Sequence, residues 1–209
     1  MVFNLSEFGG MGSIGRTTIA RIVLKTFSSQ FEGVCFLADI RESQGKMSEL
    51  QKTLIKTISN GPVDNISNVH DGMDMIMTRF KEKKVLIVLD DVDHVGQLRK
   101  LAGDYVWFGG GSRVIITTRD AGVLRSHGVD EKYIYKVETL REKEAIQLFR
   151  SHAFKQKAKT GVEELCGPVV HYCKGLPLAL KVLGSSLCGL EAIEWESTLE
   201  KLKDTPDEF

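Results

Sequence analysis

The sequence predicts an α/β fold, a mostly parallel sheet flanked by helices, followed by a small helical domain. Three observations predict it. Val85-Leu86-Ile87-Val88-Leu89 is a continuous apolar run ended by Asp90 and Asp91, as in a strand buried on both faces of a parallel sheet. Shorter apolar runs of this kind alternate with helical patterns as far as Arg125, as a doubly wound sheet requires. Beyond Tyr135 the patterns are mostly helical.

Taken in order, residues 17–31 read as a helix, with Ile19, Ile22, Val23 and Phe27 at helical spacing. Residues 34–37 form a short apolar strand. Residues 47–58 are helical, with Leu50, Leu54 and Ile58 on one face. A polar loop with Pro62 covers 61–68, and a helix carrying Ile76 and Phe80 covers 73–81. After the central strand comes a short helix at 95–101. A glycine turn at Gly109-Gly110-Gly111 then leads into a β-branched strand at 114–118. The pattern changes between Arg125 and Tyr135. Helices follow at 142–154, 162–173, 176–187 and 193–202. Gly167-Pro168 should split or shorten the second of these, and Pro177 sits where a helix tolerates its missing N–H. The expected division is a nucleotide-binding part at 1–127 and a helical part at 135–209.

Bulk properties narrow the function. The 209 residues suffice for one good core, or one domain and a small satellite. Hydrophobic content of 42% and charged content of 27% are ordinary for a globular protein. Lys+Arg and Asp+Glu both number 28, so no basic excess points to nucleic acid. The first eight residues lack the basic and apolar regions of a signal peptide. No run approaches the roughly 18 apolar residues of a membrane span. Cys35, Cys166, Cys173 and Cys188 show no C-x-x-C spacing, which suits idle thiols in a reducing compartment.

The chemistry concentrates in Gly10-Met11-Gly12-Ser13-Ile14-Gly15-Arg16-Thr17-Thr18. This stretch fits the phosphate-loop pattern G-x-x-x-x-G-K-[ST], with Arg16 standing where lysine is expected. Such a loop wraps backbone N–H groups around phosphates and opens onto a helix N-terminus. The fold expectation therefore sharpens to a P-loop NTPase-like sheet. Thr17 follows the last glycine and cation and is the expected magnesium ligand. Thr18 starts the helix. Arg16 keeps the charge but replaces a compact ammonium with a planar fork, which predicts weaker or displaced phosphate contact. Ser13 fits only if its backbone needs no glycine-only conformation. Asp90 and Asp91 close a strand at the sheet edge where open α/β sheets bind ligands. Asp90 would hold magnesium directly or through water, and Asp91 could orient water or act as a base. Arg119, after the next strand, points to the same crevice and could sense a terminal phosphate.

Together these blocks resemble the NB-ARC module of plant nucleotide-binding leucine-rich-repeat disease-resistance proteins, from about Gly10 onward. The resemblance rests on the phosphate loop, Phe-Leu-Ala-Asp-Ile-Arg-Glu from Phe36, and Lys-Lys-Val-Leu-Ile-Val-Leu-Asp-Asp-Val-Asp from Lys83. It continues through Gly-Ser-Arg-Val-Ile-Ile-Thr-Thr-Arg-Asp from Gly111, Glu-Ala-Ile-Gln-Leu-Phe from Glu144 and Gly-Leu-Pro-Leu-Ala-Leu from Gly175. Asp93, where another subclass has tryptophan, resembles the subclass with an N-terminal TIR domain. The resemblance implies a regulatory switch in defence signalling that holds ADP at rest and exchanges it for ATP, with Mg2+. Hydrolysis would be slow at most. It implies a phosphate site of Gly10, Gly12, Ser13, Gly15, Arg16, Thr17 and Thr18, a sensing Arg119, and Pro177 packed near the base. Its helical part would correspond to the family's first ARC subdomain. It also implies TIR and leucine-rich-repeat domains as partners, self-association on activation, and a cytoplasmic or nuclear location.

Three departures stand against it: Arg16 with Ser13; a first strand at 2–8 interrupted by the polar Ser6 and Glu7; and an end at Phe209, before the family's winged-helix domain. They suggest a truncated fragment. The competing readings are a weak ATPase and an interaction module impaired in nucleotide binding.

Overall fold

The structure, a computed structural model, describes residues 2–5, 14–43, 45–59, 61, 66–155 and 161–204. Two compact units make up these residues. The first holds Arg16–Val137 together with the N-terminal strand; the second holds the chain from Glu138, with Ile14 and Gly15.

In the first unit, five strands form one parallel sheet in the order β2-β3-β4-β1-β5: β1 Val2–Leu5, β2 Gly33–Leu37, β3 Val85–Val92, β4 Arg113–Thr118 and β5 Ile134–Tyr135. The continuous apolar run of β3 is buried on both faces, and the pleat sorts it into two cores. Val85, Ile87 and Leu89 point into the larger core with Leu54, Ile55, Ile76 and Phe80 of α2 (Met47–Ser59) and α3 (Val69–Phe80). Leu86 and Val88 point the other way, with Ile115 of β4 and Ala20 of α1 (Arg16–Phe27). Short helices α4 (Val95–Leu101) and α5 (Ala121–Ser126) follow β3 and β4.

The structure adjusts several sequence expectations. The first strand forms over Val2–Leu5 and pairs with β4 and β5, despite the polar residues after it; Ser6 and Glu7 lie outside the described residues. Helix α1 ends at Phe27, and a 3-10 turn covers Ser28–Gln30. Helix α3 starts four residues before Met73, because the Asn68 side chain accepts from the N–H groups of His70 and Asp71 at 2.8 and 3.1 Å. Gly72 in its first turn makes room for the buried Gln51 amide, which donates to the carbonyls of Val69 and Lys100 at 3.0 Å each. Tyr135, expected to open the helical part, belongs to β5, and the first unit runs to Val137.

The second unit contains α6 (Glu142–Ala153), α7 (Cys166–Tyr172), α8 (Pro177–Ser186) and α9 (Ala192–Asp204). Ala145, Phe149 and Ala153, four apart, form the buried stripe of α6. Trp195 meets Phe149 edge-on at 5.7 Å, and its indole N–H donates to the Leu187 carbonyl at 3.0 Å. Gly184 permits α8 to approach α6, since a Cβ there would stand 3.0 Å from the Phe149 carbonyl. Helix α7 is shortened to start at Cys166, with Pro168 in its first turn, where the proline costs no internal hydrogen bond.

Candidate functional site

The site is built where β3 and β4 end. Leu89 pairs with Ile116 and Val92 with Thr118, so β3 carries one residue more than β4 across this stretch. The extra residue is a bulge, which re-aims side chains at a strand end. Asp90 and Asp91 are the third-last and second-last residues of β3, which they close as the sequence suggested. Asp91 takes φ +53°, a left-handed backbone that L residues rarely adopt. Its N–H donates to Thr117 Oγ1 at 2.8 Å. A side-chain hydroxyl thus satisfies the donor that the bulge removes from the ladder.

Asp90 is 1% exposed. Thr117 Oγ1 donates to its Oδ1 at 2.6 Å, and Thr17 Oγ1 lies 3.1 and 3.0 Å from its two oxygens. Hydroxyls alone serve this buried carboxylate; no cation pairs with it among the described residues. Such an arrangement leaves negative charge in a low-dielectric place, which fits a bound cation. Among the described residues no group of three or more His, Cys, Asp or Glu could hold a metal. Magnesium here would need oxygens from a phosphate and water, which is its usual habit.

Thr17 stands in the first turn of α1, a turn that contains no acidic residue. Three features there suit an anion: the helix N-terminus, Gly15 at φ +93°, and Arg16. Arg16 is 7% exposed and has no hydrogen-bond or ion-pair partner among the described residues. Burial lowers its proton affinity, as does the nearby charge of Arg119, while Asp91 and Asp90 raise it. A guanidinium remains a cation through such shifts. Thr18 is exposed on the same turn.

Arg119 does not stand open in the crevice. Its Nε donates to Asp91 Oδ1 at 3.0 Å and its Nη2 to Asp91 Oδ2 at 3.3 Å, a two-point clamp. The residue proposed to orient water and the residue proposed to sense phosphate hold each other. After β3, the Asp93 carboxylate accepts from Gln97 Nε2 at 2.8 Å, with Arg41 more distant at 3.9 Å.

Of the residues expected to form the site, Gly10, Gly12 and Ser13 lie outside the described residues. Arg16, Thr17, Asp90, Asp91 and Arg119 converge. In the second unit, Pro177 opens α8 at N1, and a Cβ on Gly15, assigned to that same unit, would lie 3.8 Å from its Cγ. Sequence reasoning missed Thr117. Its signal was a hydroxyl at the end of a strand that was otherwise β-branched and apolar. The cysteines are free, and Cys35, Cys166 and Cys173 are buried. Burial pushes the Cys35 and Cys173 thiols up to about 11, which keeps them unreactive.

A parallel sheet with a helix led by glycine, whose first-turn threonine bonds a strand-end aspartate, defines the phosphate-loop class of α/β domains. The model of the NB-ARC domain matches residues 4–159, and the chain belongs to that family. It is 45% identical over 203 residues to the TMV resistance protein N of Nicotiana glutinosa, covering 93% of this chain and 17% of that protein. It is also 45% identical over 201 residues to the disease resistance protein RPV1 of Vitis rotundifolia, covering 94% of this chain and 14% of that one. The chain thus spans a small part of the relatives' length. Among solved structures, Cdc6p from Pyrobaculum aerophilum shares the fold, with a TM-score of 0.64 at 11% identity, over 88% of this chain and 54% of that one. Among the described residues no helix is long and apolar enough to cross a membrane.

Proposed function

We propose that this chain is the nucleotide-binding switch module of a plant immune receptor of the TIR type, holding ADP at rest and exchanging it for ATP. The observation that carries this reading is Arg16. A guanidinium buried to 7% exposure with no partner among the described residues is costly unless an anion meets it. It sits on a helix N-terminus beside a carboxylate–threonine pair suited to magnesium. Gly10, Gly12, Ser13, Gly15, Arg16, Thr17 and Thr18 would hold the phosphates, Thr17 and Asp90 the magnesium, and Pro177 would pack near the base. Bound magnesium would neutralise phosphate charge and fix its orientation. The chain's own residues would bind and position: the Asp90 carboxylate keeps the Thr17 hydroxyl aimed, and Thr117 keeps Asp90 aimed.

Hydrolysis would be slow at most, because Arg16 puts a planar fork where a compact lysine would cradle the charge of the transferring phosphate. In the cell the module would act in the cytoplasm or nucleus, joined to TIR and leucine-rich-repeat domains, with self-association on activation.

Calorimetric titration of this chain and Arg16→Lys with ADP and magnesium tests the reading. Binding by the natural chain is expected. Binding only by the lysine variant would make this an impaired module with an otherwise sound site. Silence from both, with both chains folded, would remove nucleotide binding from this chain.

A further inference from the structure

The two arginines of the site are in opposite situations. Arg16 is buried and has no partner among the described residues, whereas Arg119 is about half exposed yet has two of its nitrogens on one carboxylate. The charges of both Asp91 and Asp90 reach Arg16, and of these two Asp91 is the one whose carboxylate does not serve the buried threonines. It serves the exposed arginine. The backbone explains the choice. The bulge and φ +53° fix Asp91, and its N–H is tied to Thr117, so its carboxylate is presented to the residue after β4. Asp90, the other acid, is turned inward to Thr17 and Thr117.

A carboxylate and a phosphate present the same pattern to a guanidinium: two oxygens at the spacing of its fork. Asp91 therefore occupies on Arg119 the positions that two oxygens of a phosphate would take. We propose that Asp91 is a built-in competitor for the anion of this site: it holds Arg119 by the fork that a phosphate would use, and the oxygens of a di- or triphosphate must take Arg119 from it. This inference rests on the nucleotide-site reading and adds to it a residue that sets the affinity. Arg16 is the standing attraction, and the Asp91–Arg119 clamp is the opposing contact that binding breaks. Neutralising Asp91 releases Arg119 and also removes a negative charge that repels the incoming anion.

The test is a calorimetric titration of the full chain and of Asp91→Asn with inorganic pyrophosphate and with ADP, in chelator so that metal binding does not enter. The amide keeps the size of the side chain and removes its charge. A clamp this exposed has modest strength, so Asp91→Asn is expected to bind both ligands about three- to tenfold more tightly. If the natural chain binds and Asp91→Asn binds equally or more weakly, the competitor role is overturned while the nucleotide reading stands. If neither folded chain binds either ligand, with or without magnesium, the nucleotide reading falls and this inference with it. Should Asp91→Asn fail to fold, the natural chain still decides. Its Arg119 Nε–H resonance, assigned with Arg119→Lys, must shift as pyrophosphate saturates the site, and an unmoved resonance overturns the proposal.

Discussion

Asp90 and Asp91 are neighbours in sequence and opposites in environment. Asp90 is 1% exposed and served by two threonine hydroxyls; Asp91 is partly exposed and served by an arginine. In a regular strand adjacent side chains would simply alternate faces. Here a bulge with a left-handed Asp91 turns one carboxylate into the protein and the other along the sheet edge. The difference teaches that the two acids do unlike work: the buried one gathers two threonine hydroxyls, and the outer one holds a cationic side chain.

The strongest way to break the comparison is Asp90→Ala. It removes the acceptor for Thr17 and Thr117 and one of the two carboxylate charges that reach Arg16. Urea unfolding should report a loss of about 2–4 kcal/mol, and ADP binding should lose its dependence on magnesium. Next comes Thr117→Val, which keeps the shape but orphans the Asp91 N–H and removes the shortest hydrogen bond to Asp90. A loss of about 1–3 kcal/mol by urea unfolding is expected, and a loss near zero would show that the bulge needs no hydroxyl.

Arg16→Met sharpens the comparison from the cation side. Replacing a buried guanidinium that has no partner among the described residues with an apolar chain should raise stability by about 1–2 kcal/mol in thermal unfolding while calorimetry shows ADP binding lost. Opposite signs for stability and binding would mark Arg16 as held for a ligand; a fall in both would mark it as structural. The smallest effect belongs to the outer pair. Arg119→Ala should change stability by less than about 1 kcal/mol in the same unfolding measurement, since its ion pair with Asp91 is half exposed. A larger loss would mean that the clamp supports the fold and is not merely a contact made at the surface of the site.

Much of this was legible from residue order. The run from Val85 to Leu89 announced a central strand because no polar residue interrupts it, and both of its faces are buried. The helices at Met47 and Glu142 were legible because their apolar residues repeat at helical spacing. β5 was not: two residues, Ile134 and Tyr135, are too short to carry a period, and they are a strand only because β1 offers an edge. The start of α3 was missed because Val69 to Gly72 carry little apolar pattern; the Asn68 cap and the fit of Gly72 against Gln51 set it.

The sequence by itself determined the order of strands and helices, the phosphate-loop signature with its arginine, and the presence of two acids at one strand end. Periodicity and composition are local properties, and local physics suffices to read them. Only the tertiary structure decided that Thr117 would bridge the two aspartates, that Arg16 would be buried, and that Arg119 would be clamped by Asp91. Each of these depends on which strand lies beside which and on one residue of register. Hydrogen bonds and ion pairs act over a few ångströms, between residues that the sheet brings together from far apart in the chain.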